Sequence, residues 1–302
     1  MAKKSTMKKF EDFFEIMPCP VCGSRDVKTQ LTLKYGQLKQ KKSLNYSLIG
    51  VDQDSTFFVE KCIKCKMVYS NPRIKPEHIS KVYNECKSGV IFRPKVEFIR
   101  KTGSVRVITE AMMRFGILPG MKCFDFGCGF GQTLEFARFL DLEPYGIDID
   151  RDRIDTCKKK GLNVYHPAEN PKNLKVDFII WQNNIEHCID LHSPMKFLRS
   201  ISKPGTLLYV NGLPPGVIWT EKRKGEYVKS HFVEHVNYFP MSTLDSFFTD
   251  YGFKFESNAR TRLANGTITD IFVPNLFRAL DGTKLSPISN LFSGFRRFYR
   301  FI

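Results

Sequence analysis

Two pairs of cysteines carry the plainest chemistry in this chain. Cys19 and Cys22 flank Pro20-Val21 and are followed by Gly23; Cys62 and Cys65 flank Ile63-Lys64 and are followed by Lys66. A C-x-x-C turn presents two sulfurs to one point, and two such turns supply the four ligands a tetrahedral zinc ion takes. Such a site has no open coordination position, so its expected role is structural. Gly23 suits the positive φ that closes this kind of turn, and Lys66 takes the matching place in the second. Neither pair follows a strand and opens a helix, which sets them apart from thioredoxin-like redox motifs. Four free thiols are the alternative. Cys86, Cys123, Cys157 and Cys188 stand alone and read as small buried apolar side chains.

A second constellation begins with an acid. Asp125-Phe126-Gly127-Cys128-Gly129-Phe130-Gly131 follows a short apolar run from Met121 and precedes a helical pattern over Gln132–Leu140. Glycines between a strand and a helix allow a tight turn and close approach of the backbone to a ligand. The spacing is G-x-G-x-G, not the G-x-G-x-x-G of dinucleotide binders. A carboxylate at the strand end, Asp125, would repel a pyrophosphate and attract an ammonium group. Farther along, Tyr145-Gly146-Ile147-Asp148 ends in another acid, placed to accept both hydroxyls of a ribose, with helix capping as its alternative. The chain has no G-K-[ST], which disfavours a nucleoside triphosphatase.

These groups need elements that bring strand ends together. From Met121 onward strands over 121–126, 143–149, 176–181 and 206–210 alternate with helices over 132–140 and 151–160. The alternation predicts an α/β fold with a doubly wound, mostly parallel, Rossmann-like sheet, whose ligands lie beyond the carboxyl ends of the strands. Between the cysteine pairs, period-2 patterns around Gln30–Leu33 and Thr56–Val59 predict a small antiparallel sheet joining two knuckles. Tyr69-Ser70-Asn71-Pro72-Arg73 reads as a polar turn. Helices are expected over Lys75–Tyr83 and Val96–Phe115, with residues 84–95 as a linker or a flexible segment over the active site.

The 302 residues suit one α/β domain with a smaller module. The expected division is an N-terminal extension over 1–18, a zinc-knuckle module over 19–75, a helical linker or cap over 76–118, a catalytic domain over 119–278 and a basic aromatic tail over 279–302. The 42% hydrophobic content is enough for a sizeable core. A net charge of +16 favours anionic partners: phosphate, acidic glycans or membrane surfaces. Phe10–Ile16 is too short and too acidic for the apolar core of a leader peptide, and no run of about 18 apolar residues occurs. A cytoplasmic chain is therefore expected, in which paired cysteines bind metal rather than form disulfides.

As a set, these segments resemble the class I S-adenosylmethionine-dependent methyltransferases over roughly residues 105–275. Asp125–Gly131 is similar to their first motif and Gly146-Ile147-Asp148 to their second. Asp177–His187 is similar to their fourth strand and the Glu-His that follows it. Lys203–Thr206 looks like their turn into the fifth strand, and Glu234–Phe239 with Ser242–Phe253 resembles their late loop and helix. The cysteine pairs and the Asn-Pro-Arg turn further resemble a subgroup from sugar, glycan and natural-product pathways. The resemblance implies that methionine lies over Gly127, Cys128 and Gly129, with Gly131 closing the loop and Asp125 near the ammonium group. It implies that Asp148 takes the ribose, and that Gln182 and Asn183 face the cofactor or the acceptor. In His166–Asn170 the usual acid or amide is not at the expected place, so the adenine contact stays open.

Methyl transfer holds donor and acceptor in line and keeps water out, and a hydroxyl acceptor also needs a base. His187, beside Glu186, and His235, beside Glu234, are the candidates, with His192 and His231 behind them. Neighbours on a helix cannot both point inward, so one of each pair is expected to be structural. The acceptor implied is a small molecule or glycan, with a sugar hydroxyl favoured and an anionic or lipid-linked form in view. Pro214–Tyr227, with Lys222, Arg223 and Lys224, reads either as a charged lid or as a solvated loop. Residues 286–302 interleave aromatics with arginines, which suits either packing or peripheral contact with the inner face of a membrane. RNA methylation is the first alternative, given the charge, but Asn183-Asn184-Ile185-Glu186 stands where a base-amine methylase carries Asn-Pro-Pro-Tyr. An inactive binding protein of the same fold is the second, and the intact glycine loop argues against it.

Overall fold

The computed structural model describes residues 10–37, 51–78, 104–169, 171, 173–211, 235–258 and 275–279. The chain opens with a short helix, α1 (Phe10–Phe13), and strand β1 (Phe14–Glu15). Strands β2 (Val27–Lys34) and β3 (Thr56–Cys62) pair antiparallel, so the small sheet expected between the cysteine pairs is present. Strand β4 (Val68–Asn71) adds to β3, and β5 (Arg73–Ile74) pairs with β1. The aromatic rings of Phe10, Phe13 and Phe14 explain why residues 10–15 fold onto the module instead of trailing from it. Phe13 and Phe14 are buried with Phe57 and Val59, and Phe10 stacks on Phe14 at 4.6 Å.

Tyr69–Arg73 is not a polar turn. It is the end of β4, a cis Asn71–Pro72 bond and β5, and Ser70, Asn71 and Arg73 are all buried. Burial is tolerated because each polar group finds a partner. Asn71 Nδ2 donates to Met17 O at 3.0 Å and to Glu60 Oε2 at 2.7 Å, while its Oδ1 accepts from Met17 N at 3.0 Å. Residues 76–78 are helical, and the rest of the helix expected over Lys75–Tyr83 lies outside the described residues, as do residues 84–95.

Helix α2 (Ser104–Phe115) leads into the main sheet, the part of its expected span before Ser104 being outside the described residues. Strand β6 (Lys122–Phe126), helix α3 (Gln132–Phe139), strand β7 (Glu143–Ile147), helix α4 (Arg151–Lys159) and, after a short further strand β8 (Asn163–Tyr165), strand β9 (Val176–Gln182) follow, with all but β8 in the expected alternation. A 3-10 turn over Ile185–His187, helix α5 (His192–Ile201) and strand β10 (Ser202–Asn211) complete it. Beyond the next undescribed stretch come strand β11 (Asn237–Tyr238), helix α6 (Met241–Asp250), β12 (Phe253–Asn258) and β13 (Asn275–Ala279). The sheet order is β12-β13-β10-β9-β6-β7-β8, with five parallel strands from β8 to β10 and β13 antiparallel to β10.

Period 2 sorts the strand side chains onto two covered faces, which is why β9 reads as an apolar run from Phe178 to Trp181. Phe124, Phe126, Ile179, Trp181, Leu208 and Val210 enter one cluster, with Phe197, Phe247 and Phe248 from α5 and α6. Cys123, Phe178, Ile180, Leu207 and Tyr209 enter the other, with Ile108, Ala111 and Ala137 from α2 and α3. The first cluster also contains Cys19, Cys62, Met67 and Tyr69. The cysteine module is thus part of the wall that covers one face of the sheet. Strand β11, from the late part of the chain, pairs with β4 and forms the edge of the module sheet.

Candidate functional site

The turn between β6 and α3 brings the glycine run to the carboxyl end of the central strand. Gly127, Gly129 and Gly131 all have positive φ, at 79, 57 and 79°. A Cβ on Gly127 would lie 2.5 Å from Asn184 Nδ2, so this loop and the segment after β9 touch there. A Cβ on Gly129 would meet nothing within 4 Å among the described residues, which leave open space above the loop. Cys128 points down instead, its Sγ 2.9 Å from the place a Cβ on Gly146 would occupy.

Two carboxylates flank this loop, both 5% exposed. Asp148 ties it down: Oδ2 accepts from Gly129 N at 2.8 Å and Oδ1 from Asp150 N at 2.9 Å. The capping role falls to Asp150, whose side chain accepts from Asp152 N and Arg153 N at the start of α4. Burial raises the Asp148 carboxyl above its ordinary value, opposed by those backbone donors and by Arg153. Asp125 is raised to about 7, mainly by burial; a hydrogen bond from Thr133 opposes the rise and the negative charge of Asp148 adds to it. A cation seated beside Asp125 would remove that penalty. Loop, open space and paired acids fit the amino and ribose ends of S-adenosylmethionine. Glu169 accepts from His166 N, and Asn170 lies outside the described residues.

Across from the loop, β9 ends in Gln182, which is half-buried, and is followed by Asn183, which is exposed with φ 50°. Asn183 N donates to Asn211 O at 2.9 Å, fixing the ends of β9 and β10 together. The next residues gather the titratable groups. Glu186, His187 and His235 place their ligand atoms within 4.8 Å of one another. His187 Nε2 is 3.8 Å from Glu186 Oε1, and the two imidazoles meet edge to face at 4.7 Å. Glu186 and His187 both reach this point from a short 3-10 turn, where one of the two was expected to face away on an α-helix. Glu186 is 2% exposed, its Oε2 has no hydrogen-bond partner among the described residues, and burial raises its carboxyl to about 8. Glu234 and His231 lie outside the described residues. His192 is buried in the core, its Nδ1 2.5 Å from the Tyr251 hydroxyl and its ring against Phe247, and burial lowers it to about 4.

The four cysteines converge. Cys19 Sγ is 3.4 Å from Cys65 Sγ, and Cys22 Sγ is 3.6 Å from Cys62 Sγ. Sulfurs about 2.3 Å from a tetrahedral ion are spaced at about this distance, so the donor set and its geometry suit a metal. Gly23 and Lys66 have φ of 70 and 67°, so the two turns close alike, and the lysine accepts the left-handed backbone. Burial deprives a thiolate cluster of water, which a bound cation would offset.

Arg73, which the sequence pattern left in a turn, joins the cysteine module to the catalytic edge. Its guanidinium is 1% exposed. It donates to Ser70 O at 3.1 Å, Ile189 O at 3.3 Å, Val236 O at 2.9 Å and Asn237 Oδ1 at 2.9 Å. Asn237 Nδ2 in turn donates to Ile185 O at 2.9 Å and Cys188 O at 2.6 Å, and Val236 N donates to Glu186 O at 2.8 Å. Thr243 adds a bond to Cys65 O at 2.7 Å. Asn184, Glu186, Arg73 and Asn237 are the residues that sequence reasoning did not place in the site. Their only local signal was a cluster of polar side chains beside strand ends. Residues 214–227 and 286–302 lie outside the described residues.

Comparison with protein-family models matches residues 100–258, more than half of the chain, to the family described as "Methyltransferase domain". Comparison with curated proteins gives no match. Among solved structures the chain is similar to an S-adenosylmethionine-dependent methyltransferase from Mesorhizobium loti, at 14% identity, covering 59% of this chain and 99% of that one with a TM-score of 0.46. It is similar to magnesium protoporphyrin IX methyltransferase from Synechocystis, with bound S-adenosylhomocysteine, at 14% identity, 67% and 96% coverage and a TM-score of 0.47. A methyltransferase from Methanosarcina mazei gives 17% identity, 56% and 97% coverage and a TM-score of 0.43. Likenesses at this level say nothing of the acceptor. With the family model matched across the glycine loop, Asp148 and the Glu186 turn, this chain belongs to the S-adenosylmethionine-dependent methyltransferase domain family.

Proposed function

We propose that this methyltransferase transfers its methyl group to a hydroxyl of a small-molecule or glycan acceptor. The observation that carries the reading is the group of Glu186, His187 and His235 at the strand edge that also holds the glycine loop. S-adenosylmethionine supplies a methyl group on a positively charged sulfur. Gly127, Cys128, Gly129 and Gly131 form its cradle, Asp125 faces its ammonium group, Asp148 its ribose, and Gln182 and Asn183 the boundary with the acceptor. An acceptor hydroxyl must lose its proton as its oxygen attacks the methyl carbon, and the C–S electron pair stays on sulfur. The imidazoles of His235 and His187 are the direct acceptors of that proton, with Glu234 beside His235 in sequence. A neutral amine or thiol would need this group less. Zinc held by Cys19, Cys22, Cys62 and Cys65 is structural in this reading, because all four positions are filled by protein. No helix among the described residues is long and apolar enough to cross a membrane.

The test has two parts. Calorimetric titration with S-adenosylhomocysteine should show binding that Asp148→Ala abolishes. Methyl transfer from labelled S-adenosylmethionine to a panel of sugars, phenols, amines and RNA should then label hydroxyl acceptors, and His235→Ala should depress kcat with binding of S-adenosylhomocysteine retained. Labelling confined to RNA or to amines would refute the hydroxyl reading.

A further inference from the structure

We propose that Glu186, His187 and His235 form a second metal site, distinct from the four cysteines, that takes a divalent transition-metal ion at the acceptor end of the cleft. The inference rests on the reading of that edge as the acceptor end and deepens it. Three observations carry it. Two imidazoles and one carboxylate bring their ligand atoms within 4.8 Å of each other. Ligands about 2.0–2.2 Å from one ion lie about 3–3.5 Å apart, so the 3.8 Å between His187 Nε2 and Glu186 Oε1 needs a shift of only a few tenths of an ångström. Glu186 is 2% exposed with an Oε2 that lacks a hydrogen-bond partner among the described residues, an arrangement that costs free energy unless a cation or donor arrives.

The backbone around the three residues is already fixed. Val236 N donates to Glu186 O, His187 N donates to Asn184 O at 2.9 Å, and Asn237 ties both segments to Arg73. Nothing needs to fold for the ligands to meet. The donor set differs in kind from the cysteine cluster. Four thiolates close a site, whereas two imidazoles and a carboxylate leave positions for an outside oxygen and suit zinc, manganese or iron. A hydroxyl bound to such an ion loses its proton more readily. With an ion in place, the two histidines would act as its ligands rather than as proton acceptors; the hydroxyl's proton would pass to solvent water as its oxygen attacks the methyl carbon, and the ion would stabilise the negative charge developing on that oxygen.

The test counts metal in the whole chain. Protein stripped with chelator is dialysed against Co2+, freed of excess and measured for metal content and absorption. Two ions per chain are expected: one with intense thiolate charge-transfer bands, and one with weak ligand-field bands only. His235→Ala and Glu186→Gln should each lower the count from two to one, leaving the thiolate bands and S-adenosylhomocysteine binding in place as proof of fold. A single ion per chain in the unaltered protein, or a second ion that survives both substitutions, overturns the site. Hydroxyl methylation by protein with a single ion would leave the proposed function standing without the metal. Two ions with methylation only of amines or RNA would keep the metal and remove the hydroxyl reading.

Discussion

Replacing Arg73 with leucine tests whether the cysteine module holds the catalytic edge in place. The guanidinium is fully buried, sits 5.3 Å from the centre of the Tyr69 ring, and is lowered to about 10 by the loss of water around it. Its acceptors are all neutral oxygens. Leucine would leave Ser70 O, Ile189 O and Asn237 Oδ1 without the donor they have now, while Val236 O keeps a bond from Ser70 N at 3.1 Å. Each stranded buried acceptor costs about 1–3 kcal/mol, partly offset because a buried charge is also removed. A net loss of about 2–4 kcal/mol follows, or roughly 5–15 °C in melting temperature for a domain of this size. Catalysis should suffer more than cofactor binding. Asn237 anchors the turn of Glu186 and His187, whereas Asp148 and Gly129 hold each other without it. Melting and S-adenosylhomocysteine titration on the same preparation decide the matter. Arg73→Lys should restore little, since one ammonium cannot reach four divergent acceptors. An Arg73→Leu protein that melts with the unaltered one, or that loses cofactor affinity along with turnover, would refute the reasoning.

Three further outcomes are expected. Gly129→Ala should fold at a cost of about 1–2 kcal/mol for its φ of 57°, since its Cβ meets nothing within 4 Å among the described residues, and should weaken S-adenosylhomocysteine binding tenfold or more by filling the space above the loop; Gly127→Ala should lower the melting temperature further, because its φ is 79° and its Cβ would also lie 2.5 Å from Asn184 Nδ2. The folded state holds the Asp125 proton up to about pH 7, while the unfolded chain releases it near 3.8. Over that window the unfolded state binds fewer protons, so stability without cofactor falls as pH rises, by up to about 1.4 kcal/mol per unit, and Asp125→Asn flattens the slope. Conversely, S-adenosylhomocysteine should bind more tightly as pH rises through 7, a trend that calorimetry at several pH values would detect. Emptying the proposed metal site of the four cysteines, by chelator or by Cys62→Ser, should lower the melting temperature and expose Trp181 to fluorescence quenchers, because Cys62 and Trp181 share one core cluster.

Much of the catalytic frame was legible along the chain. Strand and helix periods from Met121 to Val210 matched the observed elements to within a few residues at most boundaries, because period 2 and period 3.6 are imposed by the backbone itself. The glycine loop and the paired cysteine turns were equally readable, since their chemistry fixes residue types at short spacings. Where neighbours compete, local pattern failed. It could not tell Asn183 from Asn184, of which the second touches Gly127, nor foresee that Glu186 and His187 face one point on a 3-10 turn.

By itself, the sequence determined the α/β class, the methyltransferase family, the four metal-competent sulfurs and the two acids beside the glycine loop. Tertiary structure alone decided that Arg73 is buried, that β11 completes the sheet of the cysteine module, and that Glu186, His187 and His235 share a cluster. The Arg73–Val236 bond spans 163 residues and the Thr243–Cys65 bond 178. Periodicity and turn chemistry act over a few neighbours, whereas contacts at such separations exist only after two apolar faces have packed together. An exposed Tyr69–Arg73 turn and a buried bridge share the same local pattern, and only the availability of buried oxygen partners across the interface selects between them.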